Sequence, residues 1–261
     1  MWTRELLNNE GSSVRTPPQK WSLRTPMNEE ESQIQEAALE FARRNKKAIA
    51  LRRTDPAVYL PEESPVSVFM AGSPSAGKTE ASIELIEKFG SPIIRIDPDE
   101  LRDECPGYTG GNAWLFQKAV SVLVDRIHDL ALEQKQSFVL DGTLSRYDLA
   151  RSNVARSLKK KRTVQILYVY QDPLLAWQFV QAREQAEGRR IPVAQFIEQY
   201  FGAREVVNQL KKEFGADVKV DLLLKNNDNS NRMYKAGVDQ IDFHIPERFG
   251  RSDVEKMLAD K

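Results

Sequence analysis

Five short runs of continuous apolar character punctuate the chain: Pro65–Met70, Pro92–Ile96, Ser137–Asp141, Thr163–Tyr170 and Asp217–Leu224. Each is five to eight residues rich in Val, Ile, Leu and Phe, the length and composition of strands buried on both faces. Between them, apolar residues return every three or four positions, which predicts helices over Glu80–Phe89, Asn112–Gln134, Arg146–Lys160, Pro173–Glu187 and Pro192–Phe214. The alternation predicts an α/β fold, a doubly wound and mainly parallel sheet with helices on both faces. Upstream, Asn28 followed by Glu29, Glu30 and Glu31 predicts the capped start of a helix reaching Arg53, with Ile34, Ala38, Phe41, Ala42 and Ile49 as its apolar stripe. Downstream, an Asn-rich turn over 225–231 precedes an expected edge strand, Tyr234–Phe243, and a short helix, Ser252–Ala259. Residues 1–27 break the periodicity. They are polar and Pro-punctuated, yet carry Trp2, Leu6, Leu7, Trp21 and Leu23, the pattern of an arm that docks on something. The expected division is an arm (1–27), a helix and linker (28–64) and an α/β domain (65–261).

Charge adds little to this picture. The 261 residues carry 38 Lys+Arg against 38 Asp+Glu, so a nucleic-acid partner is not expected. A single cysteine, Cys105, excludes an internal disulfide, and two histidines leave little for a histidine metal centre. No run approaches the ~20 apolar residues of a membrane span, and no signal-like apolar core opens the sequence. The expectation is a cytoplasmic protein with no membrane contact.

The chemistry is concentrated in Gly72-Ser73-Pro74-Ser75-Ala76-Gly77-Lys78-Thr79, which fits G-x-x-x-x-G-K-[ST] between a strand and a helix. Such a loop wraps a nucleotide's phosphates with backbone amides, reaches the outer phosphates through Lys78, and offers the Thr79 hydroxyl to Mg²⁺. In a parallel sheet, ligands sit beyond the carboxyl ends of the strands. Those ends also carry Asp97, Asp99 and Asp141-Gly142-Thr143, so all converge on one cleft. Asp141 suits a metal-binding role, with a helix cap as the competing reading. Of Asp97 and Asp99, one can cap the following turn while the other accepts a hydroxyl proton, though both could merely cap. Asp125 lies among apolar helix positions, either paired or ligand-bound or solvated between stripes. Arg183, Arg189 and Arg190 surround Gly188 in a helix–turn–helix, and such arginines can neutralise a transferring phosphoryl group or simply be solvated.

Taken together, the phosphate loop, Ile94-x-Ile96-Asp97-x-Asp99, strand-Asp141-Gly142-Thr143, Ala182-Arg183-Glu184 and Gly188-Arg189-Arg190-Ile191-Pro192 resemble the zeta toxin family over Pro65–Leu224. The resemblance implies a P-loop kinase with an arginine-bearing helical lid that uses ATP and Mg²⁺ to phosphorylate the 3′-hydroxyl of the sugar in UDP-N-acetylglucosamine. It implies Asp99 as catalytic base, with Lys78, Arg183 and Arg189 on the transferred phosphate. Asp99, Asp125 and Thr143 would contact the acceptor, and Thr79 and Asp141 the metal. Asp125 and Asp141 stand where the family has glutamates. The resemblance also implies an antitoxin partner; the apolar-anchored arm and helix of residues 1–53 could cover the cleft in cis instead, although residues 28–53 could equally pack against the kinase core. Kinase action on another hydroxyl, on a nucleotide cofactor or an antibiotic, is the alternative enzymatic reading, and a nucleotide-binding regulatory module without turnover the non-enzymatic one.

Overall fold

The computed structural model describes residues 27–228, 230–246 and 249–259. Apart from Met27, the N-terminal arm read from the sequence lies outside the described residues. The chain then follows the order α1 (Glu29–Arg53), β1 (Val66–Ala71), α2 (Lys78–Glu87), β2 (Ile94–Ile96), a 3₁₀ turn (Ala113–Phe116), α3 (Gln117–Glu133), β3 (Phe138–Leu140), α4 (Tyr147–Lys159), β4 (Thr163–Tyr170), α5 (Pro173–Glu187), α6 (Val193–Phe214), β5 (Val218–Lys225), β6 (Asn231–Lys235) and α7 (Arg251–Ala259).

The sheet order is β2-β3-β1-β4-β5-β6, with β1 to β5 parallel and β6 antiparallel on the edge. Because successive strand side chains face opposite ways, β1 divides its apolar residues between two cores. Phe69 and Ala71 join Ile166, Tyr168, Leu123 and Ile127 on one face, while Val68 and Met70 join Leu167, Val169 and Ala81 on the other. Both faces are therefore covered, and only the strand ends are open to ligand. This is the doubly wound architecture that the alternating pattern predicts.

α1 begins with a capping box. The Glu31 amide donates to Asn28 Oδ1 at 2.8 Å and the Asn28 amide to Glu31 Oε2 at 3.0 Å. Its buried Ala38, Ala42, Ile49 and Ala50 face α3, and the three alanines let the two helices approach closely. Of the two readings of residues 28–53, covering the cleft or packing against the core, the structure shows the second: their apolar stripe is taken up by α3. At its end, Arg53 pairs with Glu100 (3.2 Å) and Glu104 (3.0 Å), tying α1 to the loop after β2.

The edge strand is also corrected, from 234–243 to Asn231–Lys235, and a 3₁₀ turn occupies Ile241–Phe243. The cause is Asp221, a buried carboxylate on β5. It accepts the Gly237 amide at 2.9 Å where the chain turns through φ +67°, and the Tyr234 hydroxyl as well. Ile241 then tucks against α6, its amide donating to Asn208 Oδ1 at 2.9 Å. Among the described residues, no helix is long and apolar enough to cross a membrane.

Candidate active site

The loop between β1 and α2 is shaped by its glycines. Gly72 sits at φ +136°, and a Cβ there would meet the Val169 carbonyl oxygen at 2.3 Å. Only glycine lets the loop leave β1 pressed against β4. The Gly72 amide donates to the Thr143 carbonyl at 3.2 Å, which ties the loop to the end of β3. Gly77 at φ +86° turns the chain into α2, and no side chain caps that helix. Its first amides are thus left for an anion, in the field of the helix dipole. Ser73 and Ala76 are buried behind the loop, and the Ser73 hydroxyl has no protein partner.

Lys78 folds back onto the Ser73 carbonyl at 2.5 Å. Burial lowers its pKa to about 8, against the pull of the Asp141 and Asp99 carboxylates. Bound phosphates need the charged amine, so above pH 8 the empty protein must take up a proton to bind a nucleotide. ATP affinity is expected to be flat below pH 8 and to weaken by up to about tenfold per unit above it. Calorimetry in buffers of different ionisation enthalpy should register the proton uptake.

Past β2, the two acids of Asp97-Pro98-Asp99 divide their work. Asp97 Oδ1 accepts the Asp99 amide at 2.7 Å, capping the turn, and burial raises its pKa, with the Asp99 charge adding to the effect. Asp99 faces the lid, ion-paired to Arg189 and Arg102. Burial pushes its pKa up, but the two guanidiniums outweigh that and hold it below the usual carboxylate value. Asp141, at the end of β3, receives Ser82 Oγ (3.0 Å) and Arg95 Nη2 (2.7 Å), both on Oδ2. Arg95 also holds Asp97 (2.5 Å) and pairs with Glu100. Thr143 Oγ1 is 3.0 Å from Ser145 Oγ. On the lid, Arg183 pairs with Glu187 at 3.3 Å, and Arg190 is exposed, 3.7 Å from Glu184.

These groups line one cleft of about 690 Å³. Its walls include Pro74, Ser75, Gly77, Lys78, Thr79, Asp97, Asp99, Asp141, Thr143, Arg183 and Arg189. Among the described residues, no cluster of three or more His, Cys, Asp or Glu side chains could by itself hold a metal ion. The donors present, the Thr79 hydroxyl and the Asp141 carboxylate, instead suit an ion whose remaining ligands are phosphate and water.

The sequence profile described as "Zeta toxin" matches residues 49–239, close to three-quarters of the chain. The chain belongs to the zeta toxin family. The family places it among nucleotide-binding, kinase-type toxins. Solved structures agree in fold. One, from work on the PezAT chromosomal toxin–antitoxin system of Streptococcus pneumoniae, is 16% identical with a TM-score of 0.57, over 87% of this chain and 95% of that one. Another, AvrRxo1-ORF1:AvrRxo1-ORF2 with sulphate ions, is 18% identical with a TM-score of 0.52, over 81% and 70%. The same complex with ATP gives 17% and 0.52, again over 81% and 70%. A search of curated proteins by sequence gave no match.

One expected site residue of this zeta toxin family member lies elsewhere. Asp125 does not line the cleft: its side chain is 55% exposed and points to Arg156 of α4, 3.6 Å away. α3 turns its Leu123 and Ile127 into the core, which leaves Asp125 on the flank. Conversely, the sequence pattern does not single out Arg95, which braces Asp97 and Asp141, or Arg102, which pairs with Asp99. An arginine inside the apolar run Ile94-Arg95-Ile96, beside an acid, was the available signal for the first.

Proposed function

We propose that this protein is an ATP-dependent kinase that transfers the γ-phosphoryl group of ATP to a hydroxyl of a small molecule, the 3′-hydroxyl of the sugar in UDP-N-acetylglucosamine. The observation that carries the reading is the meeting of Asp99, Lys78 and Arg189 at the strand ends of one cleft. The AvrRxo1 complex with ATP is a neighbour in fold and supports nucleotide binding here.

The phosphate loop and the free amides of α2 bind the β- and γ-phosphates, and Lys78 leaves the Ser73 carbonyl to join them. Arg189, released from Asp99, turns with Arg183 toward the transferred group and stabilises its charge. Asp99 remains ionised because Arg102 stays beside it. It then accepts the proton of the acceptor hydroxyl as that oxygen attacks the γ-phosphorus and the bond to the β-phosphate oxygen breaks. Thr79 and Asp141 would hold Mg²⁺, which when bound neutralises charge on the phosphates. Thr143 hydrogen-bonds the acceptor.

The test is incubation with ATP, Mg²⁺ and a panel of hydroxyl compounds including UDP-N-acetylglucosamine, read by mass spectrometry. Gain of one phosphoryl group by that sugar nucleotide supports the reading. Gain by a different compound alone overturns the substrate, and ATP binding with no acceptor modified overturns the kinase.

The neighbours' descriptions name toxin–antitoxin and two-protein complexes, and a protein partner that blocks the cleft is part of this reading. The N-terminal arm is the candidate for the same role in cis. Expression of a chain lacking residues 1–27 is expected to slow growth more than the full chain; equal growth counts against self-inhibition.

A further inference from the structure

Arg95 is the one charged residue of β2, between Ile94 and Ile96. Alternation along the strand turns the two isoleucines into the core shared with α3 and sends Arg95 to the opposite face, toward Ser82 of α2. Its side chain is only 15% exposed there, which is costly for a cation without partners. It has four. Nε donates to Ser82 Oγ at 3.0 Å, Nη1 to Glu100, and Nη2 to both Asp97 Oδ2 (2.5 Å) and Asp141 Oδ2 (2.7 Å).

Two carboxylates gathered on one nitrogen repel each other unless a positive charge lies between them. Burial and the Asp99 charge already push the Asp97 carboxyl up, and the Arg95 guanidinium works against them. Asp141 is held more firmly still. Its amide donates to the Ile96 carbonyl at 2.9 Å, and its Oδ2 is bonded by Arg95 and by Ser82 Oγ, which also lies 2.8 Å from the Thr79 carbonyl. Its Oδ1 takes no bond among the described residues, and Asp141 lines the cleft. The support extends outward. Glu100 is held from α1 by Arg53 at 3.2 Å, so the end of that helix reaches the site through two consecutive ion pairs. Glu104, on the same loop, pairs with Arg52 (2.6 Å) and Arg53 (3.0 Å) and has no bond to Arg95.

We infer that Arg95 is a positioning residue for the nucleotide's divalent cation: it pins Asp141 by one oxygen, keeps Asp97 from repelling it, and is itself braced by Glu100. The inference rests on the metal role proposed above for Thr79 and Asp141, and it is tested without turnover. Partners that orient a metal's ligands typically account for about 10- to 100-fold in metal affinity. Charge alone acts the other way, since removing a cation beside a metal site favours the metal. The direction of the effect therefore separates positioning from simple neutralisation.

The experiment is calorimetric titration of the full chain with a non-hydrolysable ATP analogue, with and without saturating Mg²⁺. The ratio of the two dissociation constants is the factor by which the protein strengthens the metal's hold on the nucleotide. In the parent protein Mg²⁺ should tighten binding by at least about tenfold, and Arg95→Gln should lower the ratio by about tenfold or more. Glu100→Gln should lower it by about two- to fivefold, the size of a half-exposed ion pair. Glu104→Gln removes the same charge from the same loop and should leave the ratio unchanged. A ratio unchanged or raised in Arg95→Gln overturns the inference. Equal loss in the two glutamate variants does so too, as does a parent protein whose nucleotide affinity ignores Mg²⁺. If melting curves show that Arg95→Gln does not fold, the two glutamate variants decide alone, since the Glu100 side chain is 45% exposed and its loss is tolerable. The expected pattern of ratios in a protein that transfers no phosphoryl group would sink the kinase reading and leave this one standing. Phosphoryl transfer by a parent protein whose ratio survives Arg95→Gln would do the reverse.

Discussion

Asp99→Asn is expected to lower phosphoryl transfer by about 10²- to 10⁴-fold, the usual contribution of a positioned general base. ATP affinity should not fall, since the change removes a negative charge from the neighbourhood of an anion site. The reason lies in what surrounds the carboxylate. Arg102 and Arg189 hold Asp99 ionised, so it is ready as a proton acceptor at neutral pH. Asparagine keeps an oxygen for these arginines and cannot take the proton. Alanine is the poorer test, because the Arg102 side chain is only 8% exposed and its Nε already lacks a partner. Removing the acceptor altogether would leave a buried guanidinium uncompensated. Turnover rates, set beside ATP affinities and melting curves for both proteins, separate lost chemistry from lost folding.

The largest effect on stability is expected at Gly72. A methyl group there would overlap the Val169 carbonyl oxygen, 2.3 Å away, at a backbone angle that side chains rarely adopt. The angle alone costs about 1–3 kcal/mol. The contact adds to it, because the obstacle is the backbone of β4, which pairs with β1 along six residues from Val66 to Ala71. A loss of at least 3 kcal/mol is expected for Gly72→Ala, about 6–12 °C or more in Tm for a chain of this size. Melting within about 2 °C of the parent protein would show that the loop yields easily, and that its glycine serves the ligand instead of the strand packing.

Much of the fold is legible in local sequence because the signals there are local. The Val/Ile/Leu run of β4 has its observed bounds, Thr163–Tyr170, and Asn28 with Glu31 marks the start of α1. Asp172 before Pro173 opens α5 in the same way, its carboxylate accepting the Leu174 and Leu175 amides. The phosphate loop is legible because its chemistry is compressed into eight consecutive residues. What escapes the sequence is set by distant partners. Periodicity puts Asp125 between apolar stripes of α3 but cannot say which flank meets the cleft; that depends on how α1 and α4 pack around it, and Arg156 lies on α4. Arg95 acquires its role from Asp141, forty-six positions later and adjacent only through the pairing of β2 with β3. The edge strand differs from its expected place for a similar reason, since Asp221 on the neighbouring strand decides where the chain turns.

The most direct test follows the γ-phosphorus itself. ATP labelled at that position is mixed with Mg²⁺, excess protein and UDP-N-acetylglucosamine, and label is tracked through one turnover in the parent protein and in Asp99→Asn at saturating nucleotide. The account predicts label on the sugar 3′-oxygen in the parent protein and almost none in Asp99→Asn, although both bind ATP. Equal transfer by the two proteins would contradict it, as would label that reaches only water.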